Sequence, residues 1–579
     1  MTVHTEYPRP SMRRESYVNL NGVWDYAITD CEEFPLSFDG GIVVPFSPEA
    51  ELSGVGRQLK PNEYLHYRRT FIPPEGQGGR VLLHFGAVDY HSRVFVNGAL
   101  AGEHKGGYLP FTFDITDLLL DGENSLWLAV TDPSDTAQQA RGKQKLKSGG
   151  MFYTAQSGIW QTVWMERVAD NHISALNITP DAERGTVLVA VSARDAAGAE
   201  VTVRQGECVI TQGVCGSDGQ ALLSIPSDQL RLWSPEDPYL YDLTVSLRDG
   251  DRVESYFALR KFSVERDGKG ILRIFLNGKP YLLNGLLDQG YWKEGLYTAP
   301  SDEAMVRDIE TAKRLGFNLL RKHIKIEPER WYYHCDRLGM VVWQDMVNGG
   351  GVYPSWFLTY AINVFHPILR RFPDGNYTFF ARTDAEEREN YYLELEEMIR
   401  HLRNHPSIGA WVPFNEGWGQ FDASRASELV RRLDPDRLID EASGWFDQGG
   451  GDMYSIHSYF YPLRVKPQKD RVFALTEFGG ISWPCPGHTT TDKVYGYGTA
   501  KNREELSERY RKLMEEKMLP QLSRGLSALV YTQVSDVEDE VNGIMTYDRE
   551  VIKIREDVLV RCAKALAEEF ERCTGEVKE

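Results

Sequence analysis

The chain opens on short runs in which apolar and polar residues alternate, cut by turn residues: VNLNGVWDYAI, RVLLHFGAV, HSRVFVNGALAGEH, NSLWLAVTDPS and IWQTVWMERV among them. A period of two between Asn-Gly and Asp-Gly turns predicts strands with one buried face, and hence a β-sandwich of jelly-roll type over residues 1–168. From 169 to 264 the texture continues through GTVLVAVSA, LYDLTVSL and VESYFALRKFSVE, predicting a second sandwich of immunoglobulin-like size. Then the pattern changes. Between 265 and 579, eight apolar runs (YLLNGLLD, FNLLRKHI, MVVWQDM, IGAWVPFNE, RLIDEASG, MYSIHSY, VFALTEFGG and ALVYTQVSD) alternate with amphipathic stretches such as DEAMVRDIETAKRLG and ASRASELVRRLD. Eight strand–helix units predict a (β/α)8 TIM barrel, a fold whose chemistry sits where strands end and loops begin.

Two of these runs end in a glutamate: Glu416 in WVPFNEGWG and, 61 residues later, Glu477 in ALTEFGG. Both side chains therefore leave the packed interior at the same rim. Cleavage of a glycosidic bond requires a protonated acid for the leaving oxygen and an ionised carboxylate facing the anomeric carbon, and the pair supplies both. Asn415, just before Glu416, can offer its amide to a sugar hydroxyl. Arg321, at the end of FNLLR, would keep a neighbouring nucleophile ionised, because an adjacent cation lowers a carboxyl pKa. His323 and His457 could bond hydroxyls. Aromatic residues crowd the predicted rim, and their faces suit the C–H faces of pyranose rings. Tyr459, Tyr531 and Trp445 are the candidates for substrate contact, with Trp356, Trp418, Tyr461 and Trp483 nearby in the pattern. Gly479-Gly480 would let backbone or substrate approach closely.

The net charge is −19, from 65 basic and 84 acidic residues, and no basic block interrupts it. That gives a nucleic acid or an anionic membrane nothing cationic to bind. No run approaches the roughly 18 apolar residues of a membrane span. The seven cysteines are scattered, without zinc-site spacing. Reduced thiols and a cytoplasmic location are expected, with export after removal of a signal as the alternative. Two carboxylates cleave a glycoside without a cofactor, and no metal is expected. The expected partner is an oligosaccharide or glycoside substrate, and self-assembly into a homo-oligomer stays open.

These residues resemble glycoside hydrolase family 2, the family of β-galactosidase, β-glucuronidase and β-mannosidase. PRPSMRRESYVNLNGVWDY, HYRRTF, VFVNG and SGIWQTVW resemble its N-terminal jelly roll, and LWSPEDPYLYDLTV its immunoglobulin-like domain. NLLRKHIKIEPERWYYHCDRLGMVVWQDM and RNHPSIGAWVPFNEGWG resemble its barrel. The resemblance implies that Glu416 is the acid/base and Glu477 the nucleophile of a retaining mechanism. It also implies that Arg321, His323, Asn415, His457 and Tyr459 belong to the substrate pocket.

One segment departs from the family. After the eighth run the chain reads YTQVSDVEDEVNGIMTYDR, without the Asn-x-Lys that family β-glucuronidases use to hold the sugar carboxylate. Asp536, Glu538, Asp539 and Glu540 would repel a uronic acid if they face the pocket, whereas Lys322, His323 and Lys325 pull the other way. The expectation is a retaining exo-acting β-glycosidase on a neutral sugar, β-galactoside first. β-Glucuronidase, β-mannosidase and exo-β-glucosaminidase are the enzyme alternatives, and a catalytically inactive carbohydrate-binding protein is the alternative of another class.

Overall fold

Alternating patterning becomes alternating burial. Along Thr186–Ser192 the buried positions are Val187, Val189 and Val191, whose branched side chains fill the space between two sheets. The computed structural model describes residues 3–76, 78–248, 250–353, 372–459 and 463–575. In the first sandwich a six-stranded sheet runs Gly40–Val44, Gly22–Thr29, Tyr64–Phe71, Asn124–Thr131, His91–Val96 and Ala99–Lys105 in spatial order. A four-stranded sheet of Val18–Asn19, Val163–Val168, Arg80–Phe85 and Phe111–Asp114 completes it. Trp24, Tyr67, Phe85, Val94 and Leu126 form its core. The second sandwich pairs a three-stranded sheet with a four-stranded one, the immunoglobulin-like arrangement, around Val201, Tyr241, Leu243 and Phe257.

The third part is an eight-stranded parallel sheet curled into a TIM-type barrel. Its strands are β1 (Leu283–Asp288), β2 (Leu319–Lys322), β3 (Val341–Asp345), β4 (Ile408–Val412), β5 (Leu438–Ile439), β6 (Met453–Ser458), β7 (Val472–Gly479) and β8 (Leu526–Thr532). Each is one of the eight apolar runs. They pair in sequence order, with β1 beside β8, and the sheet ends at β5 and β6. A hydrogen bond of 2.8 Å from Asp452 N to Ile439 O bridges that seam. Helices α1 (Asp302–Arg314), α2 (Glu329–Leu338), α3 (Ala385–Leu402), α4 (Ala423–Leu433), α5 (Arg503–Lys512) and α6 (Glu556–Thr574) lie on the outside. Among the described residues the β5–β6 and β6–β7 connections carry no helix. No helix of the described residues is long and apolar enough to cross a membrane.

The barrel's polarity follows from how its two ends are filled. At the N-terminal ends of the strands, Phe262, Ile274, Leu276 and Trp233 pack onto Leu283, Leu319, Val341 and Val472 and close the interior with apolar side chains. Polar side chains at the other end therefore face loops and substrate, as in other barrels of this type. The closed end also holds Arg273, fully buried, whose Nε donates to Asp267 Oδ2 at 2.9 Å. Its other nitrogens donate to Leu526 O and Leu522 O, both at 2.8 Å. Removing one member of such a buried pair strands the other charge, so Arg273→Met should cost about 3–5 kcal/mol. A urea midpoint within error of the parent would contradict this role.

Candidate active site

At the open end, β4 is extended by Phe414–Asn415, which pairs in parallel with Ala442–Ser443 beyond β5. The chain then turns sharply: Glu416 has φ 51°, and Gly417 and Gly419 follow at 73° and 61°. The left-handed region is strained for a residue with a Cβ, and a hydrogen bond of 2.9 Å from Glu416 N to Ser443 O holds it there. The added residue that aims Glu477 is a bulge. The pairing of β7 with β8 shifts between Leu475 and Phe478. Phe473, Leu475 and Phe478 pack outward against the helices, while Thr476 and Glu477 both turn inward. One carboxylate oxygen of Glu416 and one of Glu477 lie within 4.8 Å of each other and of a His457 ring nitrogen. These three side chains form a donor set that could hold a cation.

Arg321 organises the floor of this site. Its guanidinium is wholly buried and donates to Glu477 Oε1 at 3.1 Å, Asn415 Oδ1 at 2.8 Å and Thr476 O at 3.2 Å. It also grips both oxygens of Asp345, at 2.9 and 3.0 Å. Tyr459 donates its hydroxyl to Glu477 Oε2 at 2.5 Å, and burial keeps that phenol protonated by raising its pKa well above the usual value. For Glu477, burial opposes ionisation but is outweighed by His457, His323, Arg321 and Lys143, which bring its pKa down to about 2. His323 is itself held neutral by burial, with Lys143 adding to the effect. Its Nδ1 lies 2.8 Å from Asp345 Oδ2, so the proton is assigned to Nδ1 and Nε2 is an acceptor.

A directed chain of hydrogen bonds reaches Glu416. Thr476 donates to Ile456 O at 3.4 Å and accepts from the Ser443 hydroxyl at 2.8 Å. Ser443 Oγ is thereby left as the acceptor for His457 Nε2, 3.2 Å away. The other ring nitrogen, Nδ1, sits 2.7 Å from Glu416 Oε1. Glu477, by contrast, receives hydrogen bonds from a cation and a phenol, the form a nucleophile needs. Two carboxyls under one rim thus meet different partners, an imidazole at Glu416 and a guanidinium and a phenol at Glu477.

Three family models cover the chain in order: "Glycosyl hydrolase 2 galactose-binding domain-like" over residues 51–163, "Glycosyl hydrolases family 2" over 171–260, and "Glycosyl hydrolases family 2, TIM barrel domain" over 269–464. The chain belongs to glycoside hydrolase family 2, a retaining family. It is 26% identical to a β-galactosidase of Thermoanaerobacter pseudethanolicus over 82% of this chain and 63% of that one. It is 28% identical to a β-glucuronidase of Bacteroides fragilis over 65% of this chain and 54% of that one. The chain thus spans about a third to two thirds of the length of the curated relatives it matches. Among solved structures, the β-D-glucuronidase of Dictyoglomus thermophilum superimposes with a TM-score of 0.73 at 19% identity, covering 97% of this chain and 98% of that one.

Within this family 2 fold, the structure gathers Glu416, Glu477, Asn415, Arg321, His323, His457 and Tyr459 into one cluster, linked through the Arg321, Asp345 and His457 contacts. Trp445 lies edge-on to His457, 5.5 Å between ring centroids, in a wall with Trp418, Phe446 and Met151. Tyr531 is not brought there. Strand alternation sends it outward, where it packs edge-on against Phe478 and Tyr510. Gly479 and Gly480 are indeed crowded, but by side chains of this chain: a Cβ would stand 2.2 Å from the Tyr531 ring and 2.5 Å from that of Tyr497. Trp483 packs against the outer layer of the barrel, and Trp356 and Tyr461 lie outside the described residues. The acidic segment is neither solvated nor aimed at the substrate. Asp536 pairs with Lys553 at 2.6 Å, Glu540 accepts from the Tyr153 hydroxyl, and Glu538 accepts from Thr154 N at 2.9 Å. Lys322 and Lys325 are equally committed, to Asp288 and Glu327 at 2.7–2.9 Å.

Sequence reasoning passed over Asp345, Ser443, Tyr497 and Lys143. Asp345 had a usable signal, since it ends the run VVWQD as Glu416 and Glu477 end theirs. Tyr497, stacked on Tyr459 at 3.7 Å, comes from a long loop after β7 with no periodicity to mark it. The pH dependence tests the charge assignment. Removing the Arg321 guanidinium raises the Glu477 pKa from about 2 towards the ordinary 4.5. The acid limb of kcat/KM should therefore move up by about one unit or more in Arg321→Gln. An acid limb at the parent position would contradict the assignment.

Proposed function

We propose that this protein is a retaining, exo-acting β-glycosidase, with Glu477 as nucleophile and Glu416 as acid/base. The observation that carries the reading is that an oxygen of Glu416 and one of Glu477 lie within 4.8 Å of each other, so both carboxyls reach one anomeric centre. A retaining mechanism needs its two carboxyl groups close, about 5–5.5 Å apart, whereas inverting enzymes hold theirs about 6.5–9.5 Å apart to admit a water. Glu477 attacks the anomeric carbon as the Glu416 proton passes to the leaving oxygen, which breaks the glycosidic bond and forms a glycosyl ester. Glu416, now a carboxylate, takes a proton from water, whose oxygen attacks the same carbon and releases Glu477. The Asn415 Nδ2 amide has no hydrogen-bond partner among the described residues and can donate to a sugar hydroxyl, most usefully the 2-OH.

The expectation of a neutral sugar rested on the four carboxylates after β8, and their hydrogen bonds remove that support. The relatives divide between β-galactosidase and β-glucuronidase. The substrate class is therefore argued below from a different group.

Leaving-group dependence tests the roles. Glu416→Ala should keep dinitrophenyl glycoside hydrolysis within about tenfold and lose about 10²–10⁴-fold on alkyl glycosides, because only the latter need an acid. Glu477→Ala should be inactive on both. A 2-deoxy-2-fluoro glycosyl fluoride should label the peptide that contains Glu477, and labelling elsewhere would overturn the assignment.

A further inference from the structure

We infer that Lys143, carried by the N-terminal sandwich, receives the carboxylate of a uronic-acid residue bound in the barrel. The inference rests on the glycosidase reading above and names its substrate class. Lys143 is 5% exposed. Its ammonium lies 5.5 Å from the Tyr153 ring and 5.6 Å from that of Trp418, two residues beyond Glu416. Among the described residues no carboxylate comes within 4.0 Å of it and it donates no hydrogen bond. The buried lysines Lys322, Lys325 and Lys553 each have a carboxylate at 2.6–2.9 Å. The Lys143 stem is buried while its ammonium has no protein carboxylate beside it among the described residues, which leaves that cation available to an anion from outside.

The position is specific. Lys143 lies over the ring of Trp418, two residues beyond Glu416, and its charge acts on both His323 and Glu477. Its backbone is seated on the barrel: Arg141 N and Gly142 N donate to Asn348 O at 2.9 and 3.0 Å, and Tyr153 N donates to Lys143 O at 2.9 Å. Gly142, at φ 64°, admits no side chain, because a Cβ would stand 2.9 Å from Ile324 O, the residue after His323. Asn348 itself is 3% exposed, and both polar atoms of its amide lack a hydrogen-bond partner among the described residues, which leaves a second donor beside the same segment. A uronate puts a second negative charge near Glu477. Arg321 is occupied at 2.8–3.2 Å by its own acceptors, so Lys143 is the cation left to balance it.

The test compares p-nitrophenyl β-D-glucuronide and β-D-galacturonide with the matching glucoside and galactoside, at pH 7, where Glu477 is ionised. The parent should favour a uronide. In Lys143→Met the uronide kcat/KM should fall about 30- to 1,000-fold, chiefly through KM, and the uronide-to-hexoside ratio should fall with it. Lys143→Arg should recover part of that ratio. A lysine that only tunes Glu477 would shift the acid limb and lower both substrate classes alike, and that result would overturn the inference. Turnover of neutral hexosides without uronides, or preference for a 6-phosphoglycoside, would overturn it too while leaving the glycosidase reading intact. Failure to turn over any glycoside would remove both.

Discussion

The site depends on one buried cation. Arg321, wholly enclosed at the end of β2, reaches β3 through Asp345, the end of β4 through Asn415, and β7 through Glu477 and Thr476 O. Desolvating a guanidinium is costly, and only a full set of acceptors offsets it. Those acceptors are Glu477 and its neighbours, so the interaction that lets the charge exist inside the barrel also fixes the relative position of strands 2, 3, 4 and 7. Together with His457 and His323 it also lowers the Glu477 pKa. Geometry and electrostatics are here one constraint.

Around this hub Glu416 and Glu477 have different hydrogen-bond partners. Glu477 meets the Arg321 guanidinium and the Tyr459 hydroxyl. Glu416 meets the His457 imidazole, which is tied through Ser443 and Thr476 to the Ile456 carbonyl. The left-handed backbone at Glu416 and the bulge before Glu477 are the two local departures from regular strand geometry that bring the side chains face to face. Strain of this kind persists only where surrounding structure enforces it, and the Glu416 N–Ser443 O bond is part of that enforcement.

The sandwich and the barrel meet at the mouth of the site through polar contacts between residues very distant in the chain. Tyr153 and Glu540 are 387 positions apart, and Thr154 and Glu538 are 384 apart. The acidic segment after β8 thus serves as a clamp for the loop that carries Lys143, Met151 and Phe152, and the apolar wall beside Glu416 is built from both domains. Charge density along the sequence pointed at repulsion of an anion, but hydrogen bonding converts the same residues into the anchor of a cation.

Local chemistry made much of this legible beforehand. Eight runs of the right length and texture are a barrel because strands buried on both faces must be apolar throughout. A glutamate that ends such a run can only emerge at the rim, so Glu416 and Glu477 were readable as a pair. What no pattern along the chain could decide were the directions of individual side chains where a bulge or a glycine breaks the period of two. Tyr531 shares its strand end with the site yet faces the helices. Nor could the chain reveal which charges neutralise one another: Lys322 with Asp288, Lys553 with Asp536, and Lys143 with no protein partner among the described residues. Periodicity is a local property and survives in the sequence, whereas electrostatic partnership is a property of distance in three dimensions, and only the folded chain brings it into being.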